Sequence, residues 1–112
     1  MDVFAQLADL SPAIRYIAIY QGGELRTWQR EAINGASSHE SDRYEELLVN
    51  PTLLTLAKQR GDIDCGGLNF LLVRYGNFYQ LVRHLNDGHI SICIDPAADP
   101  LQLEAKLTDL LG

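Results

Sequence analysis

Branched and aromatic residues crowd into the stretch from Gly66 to Asp95, and they recur there with a period of two. The run reads as three strands joined by tight turns. Gly76-Asn77 predicts a two-residue hairpin loop with both residues at positive φ. Asn86-Asp87-Gly88 predicts a three-residue loop with Gly88 left-handed. These turns set a register, and with it two faces. One face collects Leu71, Val73, Phe78, Val82, Ile90, Ile92 and Ile94. The other collects Leu68, Phe70, Leu72, Tyr79, Leu81, Leu85 and Cys93. Both are apolar, so each needs a cover.

The flanking segments supply those covers. Asp2 is placed to cap a short helix carrying Val3, Phe4, Leu7 and Leu10, ended by Ser11-Pro12. Arg15 to Gln21 alternates as a strand, with Ile17 and Ile19 on one side and Tyr16, Ala18 and Tyr20 on the other. Gly22-Gly23 turns it into a polar strand, Glu24 to Arg30, suited to an exposed sheet edge. A polar loop follows from Glu31 to Glu40. Ser41 then predicts a helix cap, with Asp42, Glu45 and Glu46 in the first turn and an apolar stripe of Tyr44, Leu47 and Leu48. Asn50-Pro51 predicts a kink or restart. Leu53, Leu54, Leu56 and Ala57 carry the helix on to Arg60, where Gly61 closes it. Asp99-Pro100 opens a last helix with a stripe of Leu103, Leu107, Leu110 and Leu111, Gln102 being placed for a capping box.

The fold class is therefore α+β. One domain spans residues 1–112, with a five-stranded antiparallel sheet flanked by helices on both faces in the order α-β-β-α-β-β-β-α. The strand Leu68 to Val73, with Asn69 its one polar residue, stands at an end of the meander. As a sheet edge it invites pairing with a second copy across a two-fold axis.

Charge narrows the partners. The 112 residues carry 15 acidic and 9 basic side chains, a net charge of −6, which repels phosphate backbones and anionic lipid. Nucleic acid is an unsuitable partner, and no apolar run is long enough for membrane insertion. The Met-Asp start lacks the basic and apolar regions of a signal peptide, which predicts a cytoplasmic protein. Cys65 and Cys93 fit a reducing compartment as free thiols.

Chemistry is harder to find. His84 and His89 fall on opposite faces in the register above, and no Cys-x-x-Cys or His-x-x-x-His spacing occurs, so no metal site is expected. His89, beside a turn, reads as a solvated strand end. Ser91 and Cys93 are small residues on one face, which predicts a helix lying close over that strand. Cys65 has no visible base. Gly66-Gly67 leads into a strand rather than a helix, so it is no phosphate loop. The acidic residues read as a solvated face. Tyr16, Tyr20, Trp28, Phe70, Phe78 and Tyr79 leave open an aromatic cavity. No cofactor and no catalytic residue is expected.

The order of elements resembles the roadblock/LC7 family across nearly the whole chain. The residues that carry the likeness are the short helix with Leu7 and Leu10 and the run Ile17-Ala18-Ile19-Tyr20-Gln21-Gly22-Gly23-Glu24-Leu25. The long middle helix, the Gly-Gly-led meander and the closing leucine-rich helix complete it. The layout is similar to profilin-like sensor folds too. The resemblance implies a homodimer in which the middle helix and the strand after it meet their symmetry mates. It implies a non-enzymatic adaptor or regulator, binding a Ras-like small GTPase or a scaffold complex. Carried onto this chain, the interface falls on Tyr44, Leu47, Leu48, Leu54, Leu68, Phe70 and Leu72, with Pro51 a departure in the interface helix. The alternative is a profilin-like or PAS-like small-molecule sensor.

Overall fold

The computed structural model describes residues 2–30 and 39–111; most of the polar loop expected at Glu31–Glu40 lies outside the described residues. A five-stranded, wholly antiparallel sheet runs in the order β2-β1-β5-β4-β3. Its strands are β1 (Ile14–Gln21), β2 (Glu24–Gln29), β3 (Leu71–Arg74), β4 (Tyr79–Leu85) and β5 (Gly88–Ile94). The helices are α1 (Val3–Ala8), α2 (His39–Tyr44), α3 (Asn50–Asp64) and α4 (Pro100–Leu111), with a π-helical turn (Glu45–Val49) between α2 and α3. The class and the order of elements are those the sequence predicts.

One side of the sheet is an aliphatic core. Ile17, Ile19, Leu81, Ile90, Ile92 and Ile94 pack against Phe4 and Leu7 of α1 and Leu103 and Leu107 of α4. Both helices start as the sequence indicates. The Asp2 carboxylate accepts from the Phe4 amide, and Asp99 accepts from Leu101 and Gln102. Arg30 pins the chain before β1 by donating to the carbonyls of Ala8, Ser11 and Ile14. The middle helix covers the other side of the sheet.

The turns correct the expected faces. Asn86-Asp87 alone forms the β4–β5 loop, because Leu85 already pairs with Gly88, and Asp87 rather than Gly88 takes positive φ, at 60°. Losing one loop residue shifts the register by one and turns β5 over. Ile90, Ile92 and Ile94 therefore share a face with Leu81 and Leu72, while Val82, Leu71 and Val73 lie with Ser91 and Cys93. The same shift makes His84 and His89 cross-strand partners on one face, where the sequence placed them apart.

Gly88 has a different task from the one expected. A Cβ there would stand 1.7 Å from the Tyr20 carbonyl oxygen of β1, so only glycine lets the two strands meet. Gly22 and Gly23 do take φ of 61° and 80° in a two-residue hairpin. Gly76-Asn77 forms its two-residue loop with neither residue at positive φ.

The middle helix departs from its expected bounds at both ends. It starts at His39, two residues before Ser41, with Glu40 and Asp42 placed to complement the dipole. At the other end it runs through Gly61 to Asp64. Gly61 is buried because the returning chain crosses it: a Cβ would lie 3.0 Å from the Gly67 carbonyl carbon. At Pro51 the expected restart takes the form of a change from π to α geometry, with the helical path unbroken. Tyr44, Val49 and Asn50 all keep helical φ and ψ, and the Asn50 amide donates to the carbonyl of Glu45, five residues back. Proline has no amide to give and crowds the preceding turn; widening that turn to π geometry accommodates both demands.

Gly88→Ala is expected to lower unfolding free energy by about 3 kcal/mol or more in urea titration. Gly76→Ala, with nothing within 4 Å of its Cβ position, is expected to change it by less than about 0.5 kcal/mol.

Candidate functional site

The middle helix faces inward with its polar residues. Glu46, Asn50 and Leu54, one helical turn apart, point at the sheet and are almost wholly buried. Glu46 has no exposed surface at all. Ser91 and Cys93 are small enough to let the helix approach β5, as their place in the sequence indicated.

A directed hydrogen-bond network fills this seam. The Cys93 thiol donates to Gln80 Oε1 at 3.0 Å, and Gln80 Nε2 donates to Ser91 Oγ. Ser91 Oγ then donates to Glu46 Oε2 at 2.9 Å. Glu46 Oε1 accepts from His89 Nε2 at 2.8 Å and from Asn50 Nδ2 at 2.9 Å. Every chain of donors ends at one carboxylate, an arrangement that suits its ionised form. Among the described residues, the buried Tyr16 hydroxyl and Asn50 Oδ1 make no hydrogen bond of ordinary geometry.

That negative charge is felt around the seam. Burial first, then Glu46, pushes the Tyr16 phenol and the Cys93 thiol far above their ordinary pKa values. Burial and the same charge raise Glu45, against the pull of the Tyr75 hydroxyl at 3.5 Å. Tyr16 and Cys93 are acids held neutral by folding. Stability they contribute is complete below the unfolded values, about 10 and 8.5, and falls as pH rises above them.

His89 is therefore no solvated strand end: it is 2% exposed and bonded to Glu46. Nor is Glu46 a surface acid serving the helix dipole. The signal for both was the i, i+4 spacing of Glu46 and Asn50 over a strand bearing Ser91; the register error hid it.

The outward side of the helix carries large apolar side chains among polar ones such as Thr52, Lys58 and Arg60. Tyr44 is 62% exposed, Leu48 52%, Leu56 60% and Ile63 76%, and Leu47 and Leu53 are exposed with them. Of the expected interface residues, Tyr44, Leu47 and Leu48 lie on this surface. Leu54 does not: at 2% exposure it packs against the sheet. Leu68 is half-buried just before β3, and Phe70 and Leu72 pack against the core on the opposite face of the sheet. Leu53, Leu56 and Ile63 replace them as exposed groups. β3 is an edge strand, as its sequence suggested, and the helix is tied near both its ends, by Glu45 to Tyr75 and by Gly61 to Gly67.

The aromatic residues do not converge. Trp28, Phe70 and Tyr79 pack on the aliphatic core, Tyr16 and Tyr20 belong to the helix side, and Phe78 rests on Tyr75. The described residues form a surface groove of about 530 Å³ between Phe70, Arg83 and Glu104 and another of about 310 Å³ between Pro51, Tyr20 and His84. Among the described residues no group of three or more His, Cys, Asp or Glu side chains is placed to hold a metal ion. Cys65 and Cys93 are both free. No described helix is long and apolar enough to cross a membrane. Set against known proteins, the sequence matches no family model and no curated protein. The helix, with Glu46 and Asn50 buried and six large apolar side chains exposed, is the feature a function has to use.

Glu46→Ala leaves His89, Ser91 and Asn50 facing a void and is expected to cost about 3–5 kcal/mol in chemical denaturation. At pH 8, a thiol reagent should label exposed Cys65 promptly and Cys93 only as fast as the seam opens, each followed by mass spectrometry of the labelled peptides.

Proposed function

We propose that this chain is a non-enzymatic, cytoplasmic homodimer that serves as an adaptor or regulator of a Ras-like small GTPase or a scaffold complex. The observation that carries the dimer is the inverted middle helix. An isolated helix of this composition would bury Leu47, Leu48, Leu53 and Leu56 and hydrate Glu46 and Asn50. Here the reverse holds, and six large apolar side chains lie along one rod. A second copy of the same helix is a self-complementary cover for that surface, since a two-fold axis pairs a patch with itself. The β3 edge offers a second copy an open hydrogen-bonding row.

The GTPase comes from the resemblance to roadblock/LC7 domains, whose members act through such dimers. The net charge of −6 supports a protein partner over a nucleic acid or an anionic membrane. A ligand-sensing role has less to stand on, because the aromatic residues are divided between the two sides of the sheet.

Light scattering is expected to give twice the 12.5 kDa of the chain. Leu48→Glu, at a site 52% exposed in the monomer, should leave circular dichroism unchanged. Buried in the dimer, its charge should weaken association by about 3 kcal/mol or more, a hundredfold in Kd. A wild type that is monomeric at high micromolar concentration removes the dimer. A dimer that retains no GTPase from its source cell, with either guanine nucleotide, removes the regulatory role.

A further inference from the structure

We infer that the groove between α4 and the start of β3 binds a small zwitterion, a free α-amino acid with an apolar side chain. The groove arises where a ladder stops. β3 and β4 pair from Arg74↔Tyr79 to Leu71↔Val82 and no further. Continued, the same register would set Phe70 opposite Arg83 and Asn69 opposite His84. The chain instead enters β3 from its tie to the middle helix, where the Gly67 amide donates to the Gly61 carbonyl, and residues 68–70 stay outside the ladder. Those would-be partners become facing walls of an opening of about 530 Å³, which α4 closes with Glu104 and Thr108. Its volume lies within the range of small-molecule sites, roughly 300–1,000 Å³.

The charged groups of this groove are bound to each other only in part. Arg83 stands two residues after Leu81 and so points to the same side of the sheet, toward α4. Its Nη1 donates to Thr108 Oγ1 at 3.1 Å, and the Thr108 hydroxyl donates on to Glu104 Oε2. Arg83 Nη1 and Glu104 Oε2 are 3.9 Å apart, beyond hydrogen-bond reach, with side-chain exposures of 18% and 20%. Among the described residues, nothing else bonds to the rest of the guanidinium fork or to Glu104 Oε1. Open donors and an open acceptor therefore lie side by side, both largely withdrawn from solvent.

A ligand that answers both must carry an anion and a cation only a few ångströms apart. A simple anion would meet the Glu104 charge beside Arg83, and a simple cation the reverse. An α-amino acid satisfies both, since its ammonium nitrogen and carboxylate carbon are about 2.5 Å apart across Cα. Its carboxylate takes the free side of the Arg83 fork and its ammonium takes Glu104 Oε1. Its apolar side chain rests on Leu68 and Phe70, with the Asn69 and His84 side chains in the same lining. The site lies on the α4 side of the sheet, opposite the exposed leucines of the middle helix, and does not depend on the homodimer proposed above.

Calorimetric titration of the full chain with L-phenylalanine should show saturable binding at concentrations up to about 10 mM. Two analogues separate the charges: 3-phenylpropionate lacks the cation and phenethylamine lacks the anion. Each should bind about tenfold or more weakly than L-phenylalanine, as expected for losing a hydrogen bond between charged groups. Glu104→Gln should weaken L-phenylalanine by a similar factor and remove its advantage over 3-phenylpropionate, since the two losses are one interaction. No saturable binding of L-phenylalanine, or equal binding of the three ligands, overturns the site even if Glu104→Gln does not fold. Binding of L-phenylalanine that is unchanged in a folded Glu104→Gln variant overturns it as well.

Discussion

Three donors meet on the Glu46 carboxylate where the middle helix crosses β5, and the position of the helix follows from them. A buried carboxylate is tolerated only with its lone pairs occupied, so Glu46, Asn50, His89 and Ser91 must keep their mutual geometry. Gln80 and Cys93 extend the constraint across two strands. Aliphatic packing tolerates small slides; a converging set of hydrogen bonds does not. The seam thus fixes which side of the helix faces the sheet, at the cost of turning leucines toward solvent.

Pro51 and the π turn belong to the same arrangement. A regular helix would give the Pro51 ring a clash with the carbonyl four residues back, and a kink there would swing either Glu46 or Leu54 away from the sheet. The wider turn absorbs the proline while Asn50 and Glu46 remain neighbours one turn apart. Gly61 anchors the far end, where the chain passes too close for a side chain. The rod is held at its two ends and in its first half, and its outer surface is presented as one piece.

The sheet edges divide the molecule functionally. β2 carries Glu24, Arg26 and Gln29 on an exposed edge that discourages pairing, whereas β3 carries a single charge, Arg74 at its end. The exposed leucines lie on the helix that is tied to the chain before and after β3, at Gly67 and Tyr75. The polar cluster beneath them, Glu46, Asn50, His89 and Ser91, is buried.

Much of this was legible from residue order. Periodicity and turn residues determined the number of strands, the two-residue loops at Gly22-Gly23 and Gly76-Asn77, the caps at Asp2 and Asp99, the two edge strands and the α+β class, because these depend on neighbours a few positions apart. Orientation was not local. One loop residue between Leu85 and Gly88 decided which way β5 faces, and with it whether His89 met water or Glu46. Gly88 was glycine because of Tyr20, 68 positions earlier in the chain, and Gly61 because of Gly67. The roles of Leu54 and Leu56 were likewise settled by where the seam held the helix, since both are equally apolar in sequence. Composition and spacing determined the elements; only the packing of helix on sheet decided which polar groups were buried together, because burial is a property of what lies opposite, and that is set at long range.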